Sequence, residues 1–200
     1  MQETIKNLRD HGFDVIPVRN ASEALKTAKK FFTDNIRSVG MGGSTTVQEI
    51  GLLSWLREQT GFQLFDQYEE GISMDENVER RRKGLLADIF VSSSNAITRS
   101  GYLVNVDGEG NRVAAQSYGP KKVLLIVGKN KIVPDVEAGF RRVEEVVAPK
   151  NVARVNKKAF SLKKEQKYTV QNIQSVFVVI KKTDNRNRIS MILVDEVLGF

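Results

Sequence analysis

Residues 36–56 of this 200-residue chain read IRSVGMGGSTTVQEIGLLSWL. A short apolar run ending at Gly40 meets a glycine-rich loop, which leads into three hydroxyl residues and then into apolar residues at helical spacing. This order predicts a strand, a glycine turn and a helix. Such a turn directs free backbone N–H groups, at the positive end of the helix dipole, towards a bound phosphate or carboxylate. The stretch therefore predicts an anion site formed by Gly42, Gly43, Ser44, Thr45 and Thr46.

The same residues also admit a purely structural interpretation. Thr45 with Gln48, and Thr46 with Glu49, each fit the capping box of a helix start, which needs no ligand. The glycines could simply let the chain turn. The loop matches neither common nucleotide motif, because no lysine follows its last glycine and its glycine spacing is not that of a dinucleotide-binding fingerprint. The anion site and the capped turn both remain open.

Composition excludes several classes of protein. An apolar content of 40% over this length is enough for one buried core, so we expect a single domain spanning residues 1–200. The absence of cysteine excludes disulfides and iron–sulfur ligation by this chain, so we expect it to bind no cofactor beyond a small anionic ligand. The single histidine, His11, sits at a predicted helix end and does not favour a catalytic triad. No apolar run or signal pattern indicates a membrane, so a cytoplasmic location is expected.

Predicted strands and helices alternate along most of the chain. Asn20 with Glu23, and Ser73 with Glu76, fit capping boxes that begin two of the helices. Strands that alternate with helices at this rhythm indicate an α/β fold with a doubly wound, mostly parallel sheet. The strands of that sheet are predicted at residues 13–18, 36–40, 62–65, 89–91 and 122–128.

Two predicted hairpins and a basic segment depart from this alternation. Residues 102–106 and 112–115 flank a glycine-rich tip, and residues 175–180 and 189–194 flank a turn, so each pair predicts a β-hairpin. Residues 150–168 carry seven basic side chains against one acidic side chain, which is +6 of the formal net charge of +7. Because this segment has no clear periodicity, it is predicted to be a long loop or flexible arm.

Polar residues after two buried strands are further candidates for ligand binding. Asn95 and Thr98 follow one of these strands, and open α/β sheets bind ligands at the carboxyl ends of their strands. The same run also fits an Asx or Ser turn that leads into a hairpin. Lys129 and Lys131 follow the other strand and could hold an anion, although surface lysines need no such role.

Four segments together resemble one protein family. They are GMGGSTTVQEIGL (40–52), SNAITRSGYLVNVDGEGNRVAA (94–115), YGPKKVLLIVGKNKIV (118–133) and RISMILVDEVLGF (188–200). In this order they resemble the LUD-domain family of lactate-utilisation proteins. The resemblance implies the fold of the superfamily of glucosamine-phosphate deaminase, ribose-phosphate isomerase and CoA-transferase. In that superfamily a loop like residues 42–46 commonly cradles a substrate phosphate, and a polar strand end like residues 95–98 faces it.

The resemblance also implies a pathway and a partner. Members of the family are associated with oxidation of L-lactate to pyruvate, beside iron–sulfur subunits, so an iron–sulfur partner in trans is implied. Two departures bear on this role. Many relatives carry cysteines after an NxxR element, here Asn151–Arg154, whereas this chain has none. Relatives usually carry acidic residues after NAIT, and Arg99 at that place favours an anionic ligand over acid–base chemistry.

Two functions are compatible with these observations, and neither assigns a reaction. In the first, a pocket binds a small phosphorylated or carboxylated metabolite, with Glu49 and Asp107 as weak candidates for a catalytic carboxylate; each also fits a structural role, as a cap or a turn former. In the second, the basic segment 150–168 docks on an acidic protein or nucleic acid. Its two aromatic residues and the lack of an RNA-binding motif speak against nucleic acid. Assembly into an oligomer is compatible with either function.

Overall fold

Helices and strands alternate in the computed structural model, which describes residues 1–161 and 168–200. The strands are β1 Asp14–Val18, β2 Ser38–Met41, β3 Gln63–Phe65, β4 Ile89–Ser92, β5 Ala96–Thr98, β6 Leu103–Asp107, β7 Lys122–Gly128, β8 Ile132–Val133, β9 Val176–Ile180 and β10 Ile189–Val194. The helices are α1 Gln2–Asp10, α2 Ala21–Lys29, α3 Thr45–Glu49, α4 Leu52–Arg57, α5 Met74–Gly84, α6 Asn111–Ser117, α7 Val136–Arg142 and α8 Ala148–Ser161. A π-helical segment, Val143–Val147, joins α7 to α8. Over the described ranges, no helix has the length and apolar character needed to cross a bilayer.

Two sheets carry the fold. The larger sheet has six strands in the order β1-β10-β7-β4-β2-β3, and every neighbouring pair is parallel. The smaller sheet, in the order β8-β5-β6-β9, combines one parallel pair with two antiparallel pairs. Parallel strands cannot be joined by a tight turn and need crossover connections. In the chain from β1 to β4, these connections contain α2, α4 and α5. The α/β fold with a parallel sheet that the sequence predicts is confirmed.

Both faces of the larger sheet are buried. In β7, Leu124 and Ile126 pack into a core with α2 and α4, while Val123, Leu125 and Val127 pack into a second core with α1. Successive side chains of a strand point to opposite faces, so a strand that is buried on both faces must be apolar throughout. This requirement explains why the middle of β7 is an unbroken apolar run.

Two of the predicted helix caps are confirmed and one is wrong. The side-chain oxygens of Asn20 and Ser73 accept hydrogen bonds from backbone N–H groups three residues further on, as predicted. At α3 the cap is Ser44, which accepts a hydrogen bond of 3.2 Å from the N–H three residues on. Thr45 and Thr46 were predicted in this role. Thr46 cannot fill it because its side chain is fully buried and hydrogen-bonded elsewhere.

Neither predicted hairpin forms. Residues 112–115 lie in α6, because the Asp107 carboxylate accepts hydrogen bonds from the N–H groups of Arg112 and Val113 and so begins a helix there. An antiparallel pair forms instead between β5 and β6. At the end of the chain, β9 pairs with β6, whereas β10 lies between β1 and β7. β10 is buried along its whole length, which suits a central position in the larger sheet. β9 is partly exposed throughout, which suits the edge of the smaller sheet.

The prediction of a loop or arm at residues 150–168 is wrong for its first part, because α8 continues through residue 161. A proline such as Pro149 ordinarily interrupts a helix, but here the helix has already widened before it. The N–H of Ala148 donates to the carbonyl of Val143, five residues back, and this wider π turn accommodates the proline ring. The rest of the predicted arm, residues 162–167, lies outside the described residues.

Asp88 connects the amino ends of three neighbouring strands. Its carboxylate accepts hydrogen bonds from the Lys121 ammonium (2.7 Å) before β7 and from the N–H groups of Arg37 (2.8 Å) and Ser38 (3.0 Å) at the start of β2. The Lys121 ammonium and these N–H groups lower the pKa of Asp88 to about 2. The ionised carboxylate is therefore stabilised in the folded protein.

We expect Asp88→Asn to lower the free energy of unfolding at pH 7 by about 1–2 kcal/mol. Because the pKa of Asp88 is lower in the folded than in the unfolded protein, its stabilisation is complete above about pH 4 and is lost as the pH falls through 2. Urea unfolding at pH 7 and at pH 3 measures both effects. Asp195→Asn is the control, since that carboxylate forms a half-exposed ion pair with Lys129. A loss for Asp88→Asn no larger than for the control would contradict this role.

Candidate functional site

The loop after β2 and the end of β4 lie side by side. β2 and β4 are neighbours in the larger sheet, and the N–H of Gly42 donates to the carbonyl of Val91 at 3.0 Å. From β2 the chain moves outward to β3, whereas from β4 it passes through β5, β6 and α6 and re-enters the larger sheet on the other side, as β7. Neighbouring strands whose connections leave in opposite directions open a crevice at their carboxyl ends, where α/β proteins bind ligands. The expected closeness of the glycine loop and the polar strand end is confirmed.

A cavity of about 350 Å³ occupies this crevice. Its walls come from the carboxyl ends of β2 and β4, from β6 and α6, and from the helical layer of α5 and α8. The candidates from the sequence that line it are Gly43, Ser44, Thr45, Asn95, Asp107 and Lys131. Further polar residues of the lining are Gln67, Tyr68, Asn77, Arg81, Arg112, Asn151 and Arg154.

Lys131 is a buried cation in the wall of the cavity. Its residue is only 2% exposed, and its ammonium donates hydrogen bonds to Thr46 Oγ1 (2.8 Å) and Ser93 Oγ (3.0 Å). Desolvation, reinforced by the positive charges of Arg142 and Arg112, lowers the pKa of Lys131 to about 7. Near neutral pH the side chain therefore exists in both its charged and its neutral form.

Arg112 is a second buried cation of the lining, 7% exposed, and it ties two parts of the chain together. Its guanidinium donates to the side-chain oxygens of Asn95 (2.8 Å) and Asn105 (2.8 Å) and to the carbonyls of Ser93 (3.3 Å) and Val106 (2.6 Å). These four bonds connect the end of β4 to β6. Burial lowers the pKa of Arg112 below its ordinary value.

Neither buried cation forms an ion pair with a carboxylate of the described residues. The two acidic residues of the lining are engaged otherwise. Asp107 accepts hydrogen bonds from the backbone N–H groups of Gly108 and of the start of α6, and Glu109 pairs with Arg81. The cavity wall thus keeps an excess of positive charge.

Two glycines of the predicted loop allow close approaches by other side chains. A Cβ on Gly42 would lie 2.9 Å from Arg112 Cγ, so only glycine lets the arginine stem pass. A Cβ on Gly43 would lie 2.4 Å from the Tyr68 hydroxyl, which stands directly over the loop. Burial raises the pKa of that hydroxyl. Both side chains reach the cavity because the loop has no side chains in their way.

Other predicted binding residues lie outside the cavity. Arg99 and Lys129 line a separate surface depression, where Lys129 forms an ion pair of 3.0 Å with Asp195. Thr98 is buried, and its hydroxyl bonds to Ser100 Oγ (2.8 Å) and to a backbone N–H. Gly42 and Thr46 do not line the cavity themselves, but each contacts one of its two buried cations.

The two candidate carboxylates also have structural partners. Glu49 Oε2 accepts a hydrogen bond of 2.6 Å from the N–H of Gly199 and so fastens the C-terminal segment over α3. Asp107 lines the cavity, but its Oδ2 accepts hydrogen bonds from two N–H groups in the first turn of α6 and its Oδ1 accepts one from Gly108. Over the described residues no group of three or more His, Cys, Asp or Glu side chains is arranged to hold a metal ion.

Sequence reasoning missed Arg112, Tyr68 and Arg154. Arg112 lies in a segment predicted to be a strand, where a basic residue looks solvent-facing. Tyr68 follows β3 without any motif, and Arg154 lay in the predicted arm. None of the three carries a usable local signal, since Asp107, whose carboxylate accepts the N–H of Arg112, lies five residues earlier and outside the spacing of an ordinary N-cap.

The arrangement defines a doubly wound α/β protein with a polar cavity at the switch point of its sheet. The model of the LUD domain matches residues 1–197, so the chain belongs to the LUD domain family, as the sequence segments predict. Its fold is similar to that in the crystal structure of a DUF162 family protein from Deinococcus radiodurans, with a TM-score of 0.55 and 17% sequence identity over 96% of this chain and 94% of that chain. That identity supports a likeness of fold alone. A search of curated proteins found no match.

We expect Arg112→Met to lower the free energy of unfolding by about 2–4 kcal/mol, because four hydrogen bonds from a buried guanidinium are lost, although the acceptors on Asn95, Asn105 and Ser93 each keep another donor. Arg112→Lys should recover only part of this loss, since an ammonium restores the charge but cannot reach all four acceptors. Urea unfolding measures both. Arg82→Met, an exposed site on α5, is the matched control and should change stability by less than about 0.5 kcal/mol. Equal effects at the two sites would contradict the role given to Arg112.

Lys131 should impose a pH dependence on stability. Because its pKa is about 7 in the folded protein and near 10.4 when unfolded, the unfolded chain binds more protons between these values, and the free energy of unfolding rises with pH in that window. The slope approaches about 1.4 kcal/mol per pH unit at most. Thermal or urea unfolding from pH 6 to pH 9 should show this rise in the parent and in Lys129→Met, but not in Lys131→Met. Parallel profiles for the parent and Lys131→Met would contradict it.

Proposed function

We propose that this protein binds a small anionic metabolite, carboxylated or phosphorylated, in the cavity at the ends of β2 and β4. One observation carries the proposal: Lys131 and Arg112 are buried in the cavity wall, and neither has a carboxylate partner among the described residues. Burying a cation without a counter-charge is costly, and a bound anion offsets that cost.

The neighbouring groups support an anion at this place. Both acidic residues of the lining are already engaged, so they leave the positive charge uncompensated. Ser44 and Thr45 line the cavity directly before Thr46, which bonds to Lys131, and Asn95 and Arg154 add further polar groups to the lining. A volume of about 350 Å³ is at the small end of ligand pockets, which span roughly 300–1,000 Å³, and so favours a metabolite over a nucleotide or polymer.

Membership of the LUD domain family suggests which anions to test first. The resemblance associates the family with the conversion of L-lactate to pyruvate, and both compounds are small carboxylates that suit a cavity of this size and charge. We therefore propose lactate and pyruvate as the first candidates, and small sugar phosphates as the alternative. An iron–sulfur subunit acting in trans would supply the redox chemistry, for which this chain has no cysteine ligands.

Calorimetric titration with L-lactate, pyruvate and inorganic phosphate tests the proposal. We expect Lys131→Met to weaken binding by roughly 10- to 100-fold, the usual worth of a charge-assisted hydrogen bond. Lys129→Met makes the same chemical change two residues away, outside the cavity, and should bind like the parent. L-Lactate has no carbonyl and does not titrate between pH 6 and pH 9, so its affinity should fall as Lys131 loses its proton above pH 7.

Two results would contradict anion binding at this site. One is the absence of saturable binding of any of the three anions by the folded parent protein. The other is binding that Lys129→Met abolishes and Lys131→Met leaves unchanged, which would move the site to the surface depression around Arg99.

A further inference from the structure

The amine of Lys131 has one tetrahedral position that no described residue occupies. Nζ donates hydrogen bonds to Thr46 Oγ1 (2.8 Å) and Ser93 Oγ (3.0 Å). The two hydroxyls direct their own protons to backbone carbonyls, those of Leu198 and Ser94, at 3.4 Å each. These carbonyls offer each hydroxyl proton an acceptor other than Nζ. In the ammonium form the third position holds an N–H, and in the neutral form it holds the nitrogen lone pair.

The neutral form is well populated in this environment. Three charged groups act on the pKa of Lys131: Arg142 and Arg112 disfavour the ammonium, and Glu49 favours it more weakly. With its pKa lowered to about 7, the fraction of free amine at pH 7.5 exceeds that of an ordinary lysine on the order of several hundredfold. A desolvated lysine of this kind in a ligand cavity is a typical carbonyl nucleophile.

We propose that Lys131 forms an imine with a small carbonyl compound that also carries a carboxylate or a phosphate. This inference rests on the proposed function, because the anionic group is what the cavity would hold. The lone pair of Nζ attacks the carbonyl carbon, a C–N bond forms, and the carbonyl electron pair moves to oxygen. A proton passes from nitrogen to oxygen, which gives a carbinolamine. With one further proton from solvent, the hydroxyl leaves as water and a protonated imine remains.

The surroundings suit each stage of this addition. Thr46 and Ser93 fix the position of Nζ through its two N–H groups and leave the lone pair as its only free valence. The protonated imine keeps one positive charge at Nζ, so the cavity remains complementary to the anionic end of the compound. That end, held near Arg112 and the loop at Ser44, would place the carbonyl next to the amine and raise its effective concentration.

Reductive trapping tests the imine directly. The full chain is incubated with pyruvate, dihydroxyacetone phosphate or acetone, sodium borohydride is added, and the adducts are located by peptide mass mapping. We expect a single main adduct at Lys131 with pyruvate or dihydroxyacetone phosphate, and about tenfold less with acetone, which has no anionic group. The trapping rate should rise with pH through 7, opposite to the affinity for an unreactive anion.

Two variants and one parallel measurement separate this inference from the proposed function. Lys131→Arg keeps a cation but has no primary amine, so it should form no adduct, whereas Lys129→Met should be labelled like the parent. Calorimetric binding of inorganic phosphate, which has no carbonyl, reports on the anion site alone.

Phosphate binding without an adduct at Lys131 would overturn the imine and leave the anion site standing. Adducts spread over several lysines, or an equal yield with acetone, would also overturn it. Loss of both binding and labelling in the folded parent would overturn both proposals.

Discussion

Two buried positive charges at the carboxyl end of a parallel sheet are the constraint on which this region of the protein depends. Arg112 joins the end of β4 to β6, and Lys131 joins the β2 loop to the end of β4 through Thr46 and Ser93. The groups that order the crevice are thus the same groups that give it a positive potential. Because no carboxylate pairs with either of them in the described part of the chain, the order of the strand ends and the proposed preference for an anion would have one common cause.

This arrangement has a cost in stability. A desolvated lysine destabilises the folded state at any pH at which it is charged, and a chain selected only for stability would place an apolar residue there. Lys131 stays compatible with the fold because two hydroxyls accept its N–H groups and because its proton leaves readily. Strained or costly groups that the rest of a fold tolerates are typical of functional sites. The opposite end of the same sheet shows the contrast, since Asp88 is paired there with Lys121 and two backbone N–H groups.

The sequence predicts the parts of this architecture that local patterns determine. The strand, glycine turn and helix at residues 36–56, the caps at Asn20 and Ser73 and the apolar run of β7 each depend on neighbours in the chain. The structure agrees with them, except that the helix is divided at Gly51, which has a positive φ, into α3 and α4. Long-range choices were not predictable. β9 and β10 are both short apolar strands, and only the burial of β10 between β1 and β7 separates them into different sheets. From the sequence alone, Arg112 would be assigned to the surface. In the structure it lies in α6, where its N–H donates to Asp107 and its guanidinium is buried.

The role of the cavity can be separated from that of the segment that follows Asn151–Arg154. Asn151 and Arg154 line the cavity from α8, and the guanidinium of Arg154 donates to Asn151 Oδ1 (2.6 Å). This element is part of the wall for reasons of geometry and charge that involve no cysteine. A chain without cysteines after that element therefore keeps every group on which the proposed anion site would depend. Lys131 and Arg112 come from segments far from it in sequence, so binding in the cavity does not require the downstream segment to carry redox chemistry of its own.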